Sequence, residues 1–179
     1  MLETLAAILV ALFVGVVVFI ATRPNLFRVE RAIQINAAPE RIYAMLDDFH
    51  AWAAWSPWEK RDPAMRRAFS GATTGMGAIY EWEGDRKVGK GRMEITGADP
   101  STALRIKLDF FKPFVSHNQT LFTLAPGEGS TRVVWTMEGP NLLMSKLMSL
   151  FISMDNMIGK DFEKGLANLK AALDSASGA

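Results

Sequence analysis

Residues 102–125, TALRIKLDFFKPFVSHNQTLFTLA, give the clearest indication of the fold. Apolar residues such as Leu104, Ile106 and Leu108 alternate with polar or charged ones, and the alternation resumes after Lys112-Pro113. This pattern is typical of β-strands with one buried face, and a proline between two such segments separates them. Because the connection is too short for a crossover, the two strands are predicted to pair antiparallel.

The same pattern continues on both sides of this hairpin, where clusters of glycine and proline separate the segments. Strands are predicted at 28–36, 65–70, 76–83, 87–98, 102–111, 114–125 and 130–138. The connections within the last six are short, so these six form an antiparallel meander. With residues 28–36 the sheet has about seven strands, and so large a twisted sheet must cover one face with another element.

A long C-terminal helix is predicted to supply that cover. Asn141 is the expected N-cap, and apolar residues recur at helical spacing through Leu143, Leu147, Leu150, Met154, Ile158, Phe162, Leu166, Leu169 and Leu173. A short helix is also predicted from Pro39, a residue favoured at the first helical position, to Leu46. The fold class is therefore α+β, with one soluble domain at 28–174 and a tail at 175–179.

An uncharged apolar run precedes this domain. Residues 5–21, LAAILVALFVGVVVFIA, together with the residues before them approach the ~30 Å hydrocarbon thickness at ~1.5 Å per residue. The alternative is a cleaved signal peptide, which needs a basic leading region, a shorter apolar core and a clear cleavage site. No Lys or Arg precedes the run. We therefore expect a retained single-pass transmembrane anchor at 1–22.

The basic residues after the anchor indicate its orientation. Arg23, Arg28 and Arg31 follow the helix, and a short linker is expected at 23–27. Lys and Arg beside a spanning helix are retained on the cytoplasmic side. The soluble domain is thus predicted to be cytoplasmic, at the inner membrane if the source is bacterial.

Composition excludes several function classes. Residues after position 22 carry 20 basic and 18 acidic side chains, a balance that gives no support for a nucleic-acid partner. The chain has no cysteine, which excludes disulfides and thiolate chemistry. The two histidines, His50 and His117, have no metal-ligand spacing, and no nucleophile elbow is present. We expect no metal and no cofactor, and the sequence shows no catalytic constellation.

Several short motifs, with the order of elements, point to one superfamily. The motifs are Ile35–Glu40 with Ile42-Tyr43 and Asp47-Asp48, then Trp55–Trp58, Gly89–Met93, Gly139-Pro140 and Met157–Glu163. Over residues 28–173 the chain resembles the START/Bet v 1-like superfamily of helix-grip proteins, whose bacterial members are called SRPBCC or polyketide cyclase/dehydrase-like. The resemblance implies a curved antiparallel sheet wrapped on the long C-terminal helix, with a cavity between them.

Ligand pockets are lined mostly by apolar and aromatic groups with a few polar ones. Twelve residues are predicted to line this cavity: Tyr80, Trp82, Met93, Ile106, Leu108, Asn118, Thr120, Phe122, Trp135, Met137, Met154 and Ile158. Asn118 and Thr120 belong to this set only if the Phe122 face of strand 114–125 points inward, because a shift of register by one residue would place His117 inside instead.

Two other features leave alternatives open. Trp52, Trp55 and Trp58 recur every three residues, and they either cap one end of the core or form a lid or membrane contact. The methionines that cluster near the start of the final helix, Met137, Met144, Met148, Met154 and Met157, either fill gaps in the core or adapt to a ligand. Taken as a cluster at the cavity mouth, they favour a hydrophobic ligand.

Three functions are compatible with these observations. The leading hypothesis is a membrane-tethered protein that binds a hydrophobic small molecule, such as a lipid, isoprenoid or polyketide-like compound. The second is an enzyme of the polyketide cyclase/dehydrase type, which the resemblance suggests although no acid, base or nucleophile is identifiable. The third is a protein-interaction module similar to the Hsp90-activator or ribosome-associated branches, with an unknown protein partner.

Overall fold

The computed structural model describes residues 1–148 and 154–176 of the chain. Within these residues the seven predicted strands follow one another in the predicted order, together with five helical segments. They are α1 (Leu2–Thr22), β1 (Leu26–Ile35), α2 (Pro39–Leu46), α3 (Trp52–Trp55), β2 (Arg66–Gly71), β3 (Ala78–Glu83), β4 (Lys90–Asp99), β5 (Ala103–Lys112), β6 (Ser116–Gly127), β7 (Ser130–Pro140), α4 (Leu143–Met148) and α5 (Met154–Ser175).

The seven strands form one antiparallel sheet with the order β1-β7-β6-β5-β4-β3-β2. Strands β2 to β7 form a meander, and β1 is the edge strand that pairs with β7. Helix α5 packs across the inner face and contacts β1, α2 and α3. The predicted α+β helix-grip fold is confirmed.

The alternation of buried and exposed residues sets which face each strand turns to the core. In β7, for example, Val133, Trp135 and Met137 are buried on the inner face. From α5, Phe162, Leu166, Leu169 and Leu173 pack against them, at the spacing that the sequence predicts. The core therefore lies between the concave face of the sheet and one stripe of α5.

The ends of the strands differ from the predicted ones by up to three residues, and the differences beside the linker affect the site. Strand β1 begins at Leu26, because its first residue pairs with Pro140, so the linker comprises three residues. Asn141 does not cap a helix within the described residues: its amide donates to the Pro24 carbonyl, and its backbone N–H donates to the Asn25 carbonyl. The side-chain oxygen of Asn141, which an N-cap would use as the acceptor, is buried and has no hydrogen-bond partner among the described residues. Leu150 of the predicted stripe lies outside the described residues.

The two ends of the sheet are closed differently. At the end away from α1, helices α2 and α3 cover the core with Ile42, Leu46 and Trp55, which are fully buried. We call this the closed end. The opposite end carries the start of β1, the β5–β6 turn at 113–115 and helix α4. We call it the open end, because the cavity described below reaches the surface there.

Helix α1 contacts α4 but is not packed into the core of the domain. Its span Glu3–Thr22 is long and apolar enough to cross a membrane, and none of it is buried against the rest of the chain. With 21 residues it is about 32 Å long. An isolated helix that exposes this much apolar surface is a candidate membrane anchor.

Candidate functional site

A cavity of about 410 Å³ lies between the inner face of the sheet and the first turns of α5. Strands β3 to β7 form its floor, and Trp58, Ile158 and Phe162 lie on its helical side. At the open end it is bordered by exposed residues, including Phe114, Leu142 and Met157. The space is deep and apolar and is open on one side.

Nine of the twelve predicted positions line this cavity. They are Tyr80, Trp82, Met93, Leu108, Asn118, Thr120, Trp135, Met137 and Ile158. Two others, Ile106 and Phe122, are fully buried in the core and do not line it. Trp52 and Trp55 of α3 pack edge to face on the Phe122 ring near the closed end. The side chain of Met154 lies outside the described residues, as do those of Met144 and Met148. That any of these residues contacts a ligand remains a prediction.

The structure decides the register of β6, which the sequence left open. Asn118, Thr120 and Phe122 are buried on the inner face, whereas His117 is on the outer face and exposed. His117 Nδ1 lies 2.8 Å from Asp109 Oδ1. Burial by itself would raise the pKa of Asp109, but hydrogen bonds with His117 and Lys107 lower that pKa below its usual value. His117 therefore belongs to a surface charge network.

The amide of Asn118 is held at the open end of the cavity. Its Oδ1 accepts a hydrogen bond of 3.1 Å from the Ser116 hydroxyl. It also approaches Gly139 so closely that a Cβ at Gly139 would lie 1.9 Å from it, which explains why a glycine is needed there. The sequence predicted Asn118 as a polar group that orients a ligand, and its position on the cavity wall is compatible with that role.

A second polar group inside the cavity was not predicted. Tyr80 Oη donates a 2.6 Å hydrogen bond to Glu59 Oε1, and Arg67 Nε donates a 2.7 Å bond to Glu59 Oε2. The Glu59 side chain is 8% exposed. Burial and the bond to Glu59 raise the pKa of the Tyr80 phenol far above its usual value, so the phenol stays protonated. The cavity wall therefore carries a buried carboxylate held between a phenol and a guanidinium.

An ion pair between Arg61 and Asp161 also lies on the cavity wall. It joins the segment after α3 to α5. Sequence reasoning missed Glu59, Arg61 and Asp161 because partners distant in the chain have no local signature. The sequence signals were that Glu59 lies in the aromatic segment 49–60, that Arg61 follows this segment, and that Asp161 lies in the Met157–Glu163 motif.

Trp135 is the lining residue with the most ring contacts. It stacks on Phe162 with a centroid distance of 4.0 Å and meets Trp55 and Trp58 edge to face. Its indole N–H is buried and has no hydrogen-bond partner among the described residues. An unpaired buried donor costs free energy, so an acceptor on a bound molecule would stabilise this site.

The tryptophan segment is mainly part of the core. Trp52 and Trp55 are buried, and their indole N–H groups donate to the carbonyls of Leu46 and Met45 at 3.0 Å. They cap the closed end, so a membrane contact by these two rings is excluded. Trp58 is half-buried and borders the cavity.

Close packing of the sheet explains the glycines of β4. Gly91 pairs with Trp82, and a Cβ there would lie 2.3 Å from the indole ring. A glycine at this position therefore permits close packing of the indole ring on the sheet. Within the described residues no group of three or more His, Asp or Glu side chains could hold a metal ion.

Comparisons with known proteins agree with this architecture. A family model described as polyketide cyclase/dehydrase and lipid transport matches residues 27–174, which is most of the chain. No curated protein matches the chain.

Solved structures of low sequence identity share the fold. A protein from Chromobacterium violaceum is 20% identical, with a TM-score of 0.55 over 84% of this chain and 97% of its own. A protein from the dynemicin biosynthetic locus is 16% identical, with a TM-score of 0.57 over 86% of this chain and 49% of its own. The Aha1 dimer from Colwellia psychrerythraea is 19% identical, with a TM-score of 0.52 over 84% of this chain and 95% of its own. At these identities the similarity shows the fold alone.

Proposed function

Because this chain belongs to the family of polyketide cyclase/dehydrase and lipid-transport proteins, we propose that it binds a hydrophobic small molecule beside a membrane. The ligand is a lipid, isoprenoid or polyketide-like compound, and it occupies the cavity between the sheet and α5. The observation that carries this proposal is the cavity of about 410 Å³, which apolar and aromatic side chains line and which a few polar groups border. Ligand pockets have this size and composition.

The polar groups of the cavity support an amphiphilic ligand rather than a pure hydrocarbon. Glu59 and Tyr80 lie on the wall formed by β3, and Asn118 lies at the open end. The unpaired indole N–H of Trp135 offers a donor deep inside. A molecule with an apolar body, an oxygen acceptor for the Trp135 or Asn118 N–H and a hydroxyl donor for Glu59 matches these positions.

The anchor defines where this binding takes place. Helix α1 meets the length and apolarity that a membrane span requires, and only three residues join it to β1. A tether of this kind keeps the cavity at one membrane face and disfavours a carrier that diffuses between compartments. We place the domain on the cytoplasmic side, because Arg23, Arg28 and Arg31 follow the helix. Protease protection of the domain in sealed, right-side-out vesicles measures this orientation.

An enzyme of cyclase or dehydrase type is the second candidate, and the Glu59-Tyr80 pair is the observation that favours it. A buried carboxylate can act as a general base, and the Tyr80 phenol, which donates a hydrogen bond to Glu59, holds that carboxylate in position. If the bound molecule is converted, Glu59→Gln is expected to abolish conversion while the molecule still binds. Mass spectrometry of the bound molecule before and after incubation detects the conversion.

Binding can be tested on the full chain in detergent micelles with a hydrophobic fluorescent probe, a dansyl-labelled fatty acid. Ile158→Trp places a larger ring in the cavity and is expected to weaken probe binding by about tenfold or more. Lys164→Trp adds the same ring to the exposed face of α5 and serves as the control. Equal affinities of the two variants, or no saturable binding by the natural chain, would contradict the proposal.

A further inference from the structure

The surface around the cavity mouth is apolar although it faces solvent in the isolated chain. Nine large hydrophobic residues after the anchor are exposed among those that the structure describes, and seven of them are at the open end. These seven are Leu26, Phe111, Phe114, Val115, Leu142, Leu143 and Met157. We call them the apolar rim. A contiguous exposed apolar patch on a domain marks a binding surface.

The sheet register places these residues together. Leu26 pairs with Pro140 at the start of β1, and Phe110 pairs with Ser116 on the two sides of the β5–β6 turn. Phe114 and Val115 lie in that turn, and Leu142 and Leu143 follow β7 directly. Phe114, Leu142 and Met157 also line the same cavity. The rim therefore borders the mouth.

The membrane anchor ends at the same place. Four Cα steps separate Thr22 from Leu26, so the start of β1 cannot lie more than about 14 Å from the end of the anchor helix. The linker is also fixed to the segment that carries the rim. Lys146 Nζ donates to the Arg23 carbonyl at 3.2 Å and to Asn25 Oδ1 at 2.8 Å, and the Asn141 amide donates to the Pro24 carbonyl at 3.0 Å.

Basic side chains accompany the rim. Arg23 is in the linker, and Arg86 and Lys87 are exposed in the β3–β4 connection next to Val88, which lines the cavity. Cations at this level attract anionic headgroups, while apolar side chains enter the acyl boundary. The occupant that satisfies both observations is the leaflet in which α1 is anchored.

We propose that the apolar rim inserts into this leaflet, so that the cavity mouth opens directly into the bilayer. The inference rests on the proposed function and extends it: the ligand is a membrane-resident amphiphile that passes laterally from the leaflet into the cavity without crossing water. The Glu59 and Asn118 side chains then meet its polar part as the apolar part fills the cavity.

The absence of cysteine makes a direct test possible, because one introduced cysteine is a unique labelling site. The full chain is reconstituted into vesicles of phosphatidylcholine and phosphatidylglycerol that contain doxyl-labelled lipid. A bimane label on Val115→Cys is expected to be quenched by the doxyl groups. Met76→Cys is the matched control, since Met76 is also exposed and apolar but lies near the closed end, where Gly75 N–H donates to the Asp47 carbonyl. Equal quenching at the two sites would overturn the proposal.

A second measurement separates this proposal from the proposed function. Val115→Asp combined with Leu143→Asp puts charges on the rim at two positions that do not line the cavity. Uptake of a fluorescent phospholipid from the vesicles is expected to slow by about tenfold or more, while probe affinity in detergent is unchanged. Unchanged uptake would refute the membrane-facing mouth. If the natural chain does not bind the probe in detergent, the proposed function is refuted. The quenching result does not depend on that outcome.

Discussion

The closed and open ends of the sheet use the same kinds of side chain in opposite ways. At the closed end, Trp52 and Trp55 are buried, and each indole N–H is paired with a carbonyl of α2. At the open end, Phe114 and Leu143 are 58% and 62% exposed. A domain that only needed stability would cover both ends, since burial of apolar surface is the main favourable term in folding.

The difference indicates that the two ends serve different purposes. The closed end ties α5 to α3, because Asn168 of α5 donates a hydrogen bond to the Trp55 carbonyl. At the open end, apolar side chains remain exposed in the isolated chain, and the cavity reaches the surface between them. Under the proposed function, stability depends on the closed end and ligand exchange depends on the open end.

The largest expected effect tests this division. Trp55→Ala at the closed end removes a fully buried ring and is expected to lower the free energy of unfolding by about 3–5 kcal/mol. Val115→Ala at the open end is the control and is expected to change it by less than about 0.5 kcal/mol. Urea denaturation of the full chain in non-ionic micelles, followed by tryptophan emission, measures both. Similar losses of unfolding free energy for the two variants would contradict the claim that stability depends on the closed end.

An effect of intermediate size on the free energy of unfolding is expected at the buried pair of Tyr80 and Glu59. Tyr80→Phe removes a hydrogen bond to a carboxylate and is expected to cost about 1.5–3 kcal/mol. Glu59 keeps its bond to Arg67, so the carboxylate is not left alone.

The same variant has a signature in its pH dependence. The folded state holds the Tyr80 proton more tightly than the unfolded state does, because burial and Glu59 raise its pKa. This stabilisation is complete below the unfolded pKa of about 10 and is lost as the pH rises above it. Denaturation midpoints measured from pH 8 upward should fall more steeply for the natural chain than for Tyr80→Phe. Parallel curves would show that the phenol is not perturbed.

The smallest effect concerns how α5 is held over the mouth. Arg31 of β1 donates to Asp155 at 2.8 Å and to Glu163 at 2.6 Å, both on α5. Arg31→Gln is expected to cost about 1 kcal/mol, because both carboxylates are more than half exposed and water screens the pairs. The loss should shrink at high salt. Arg28 forms ion pairs only on the exposed surface, so Arg28→Gln should leave the denaturation midpoint unchanged. An equal loss of stability in both variants would show that the effect comes from surface charge and not from the attachment of α5.

Most of the fold could be predicted from the sequence because its signals are local. The period-two alternation identifies all seven strands, and the period of α5 places Phe162, Leu166 and Leu169 on one face. Element ends were less accurate, since Leu26 belongs to β1 only through its pairing with Pro140. Cavity residues were predicted on the basis of strand alternation and the family resemblance, and nine of the twelve lie on its wall.

The site required the tertiary structure where partners are distant in the chain. Glu59 meets Tyr80 across 21 residues, and Arg61 meets Asp161 across 100. The inward orientation of Asn118 depends on register, which is set by the pairing of β6 with β5 and β7. Alternation alone also could not separate Phe122, which is covered by tryptophan rings, from Thr120, which borders the cavity.

The sequence by itself determined the apolar helix at the N-terminus, the antiparallel meander and the helix that covers it, because each follows from the periodicity of neighbouring residues. Three properties are visible only in the tertiary structure: which end of the sheet is closed, which polar groups meet inside the cavity, and where the cavity opens to the surface. Those properties depend on contacts between residues far apart in the chain, and the packing of all elements together fixes them.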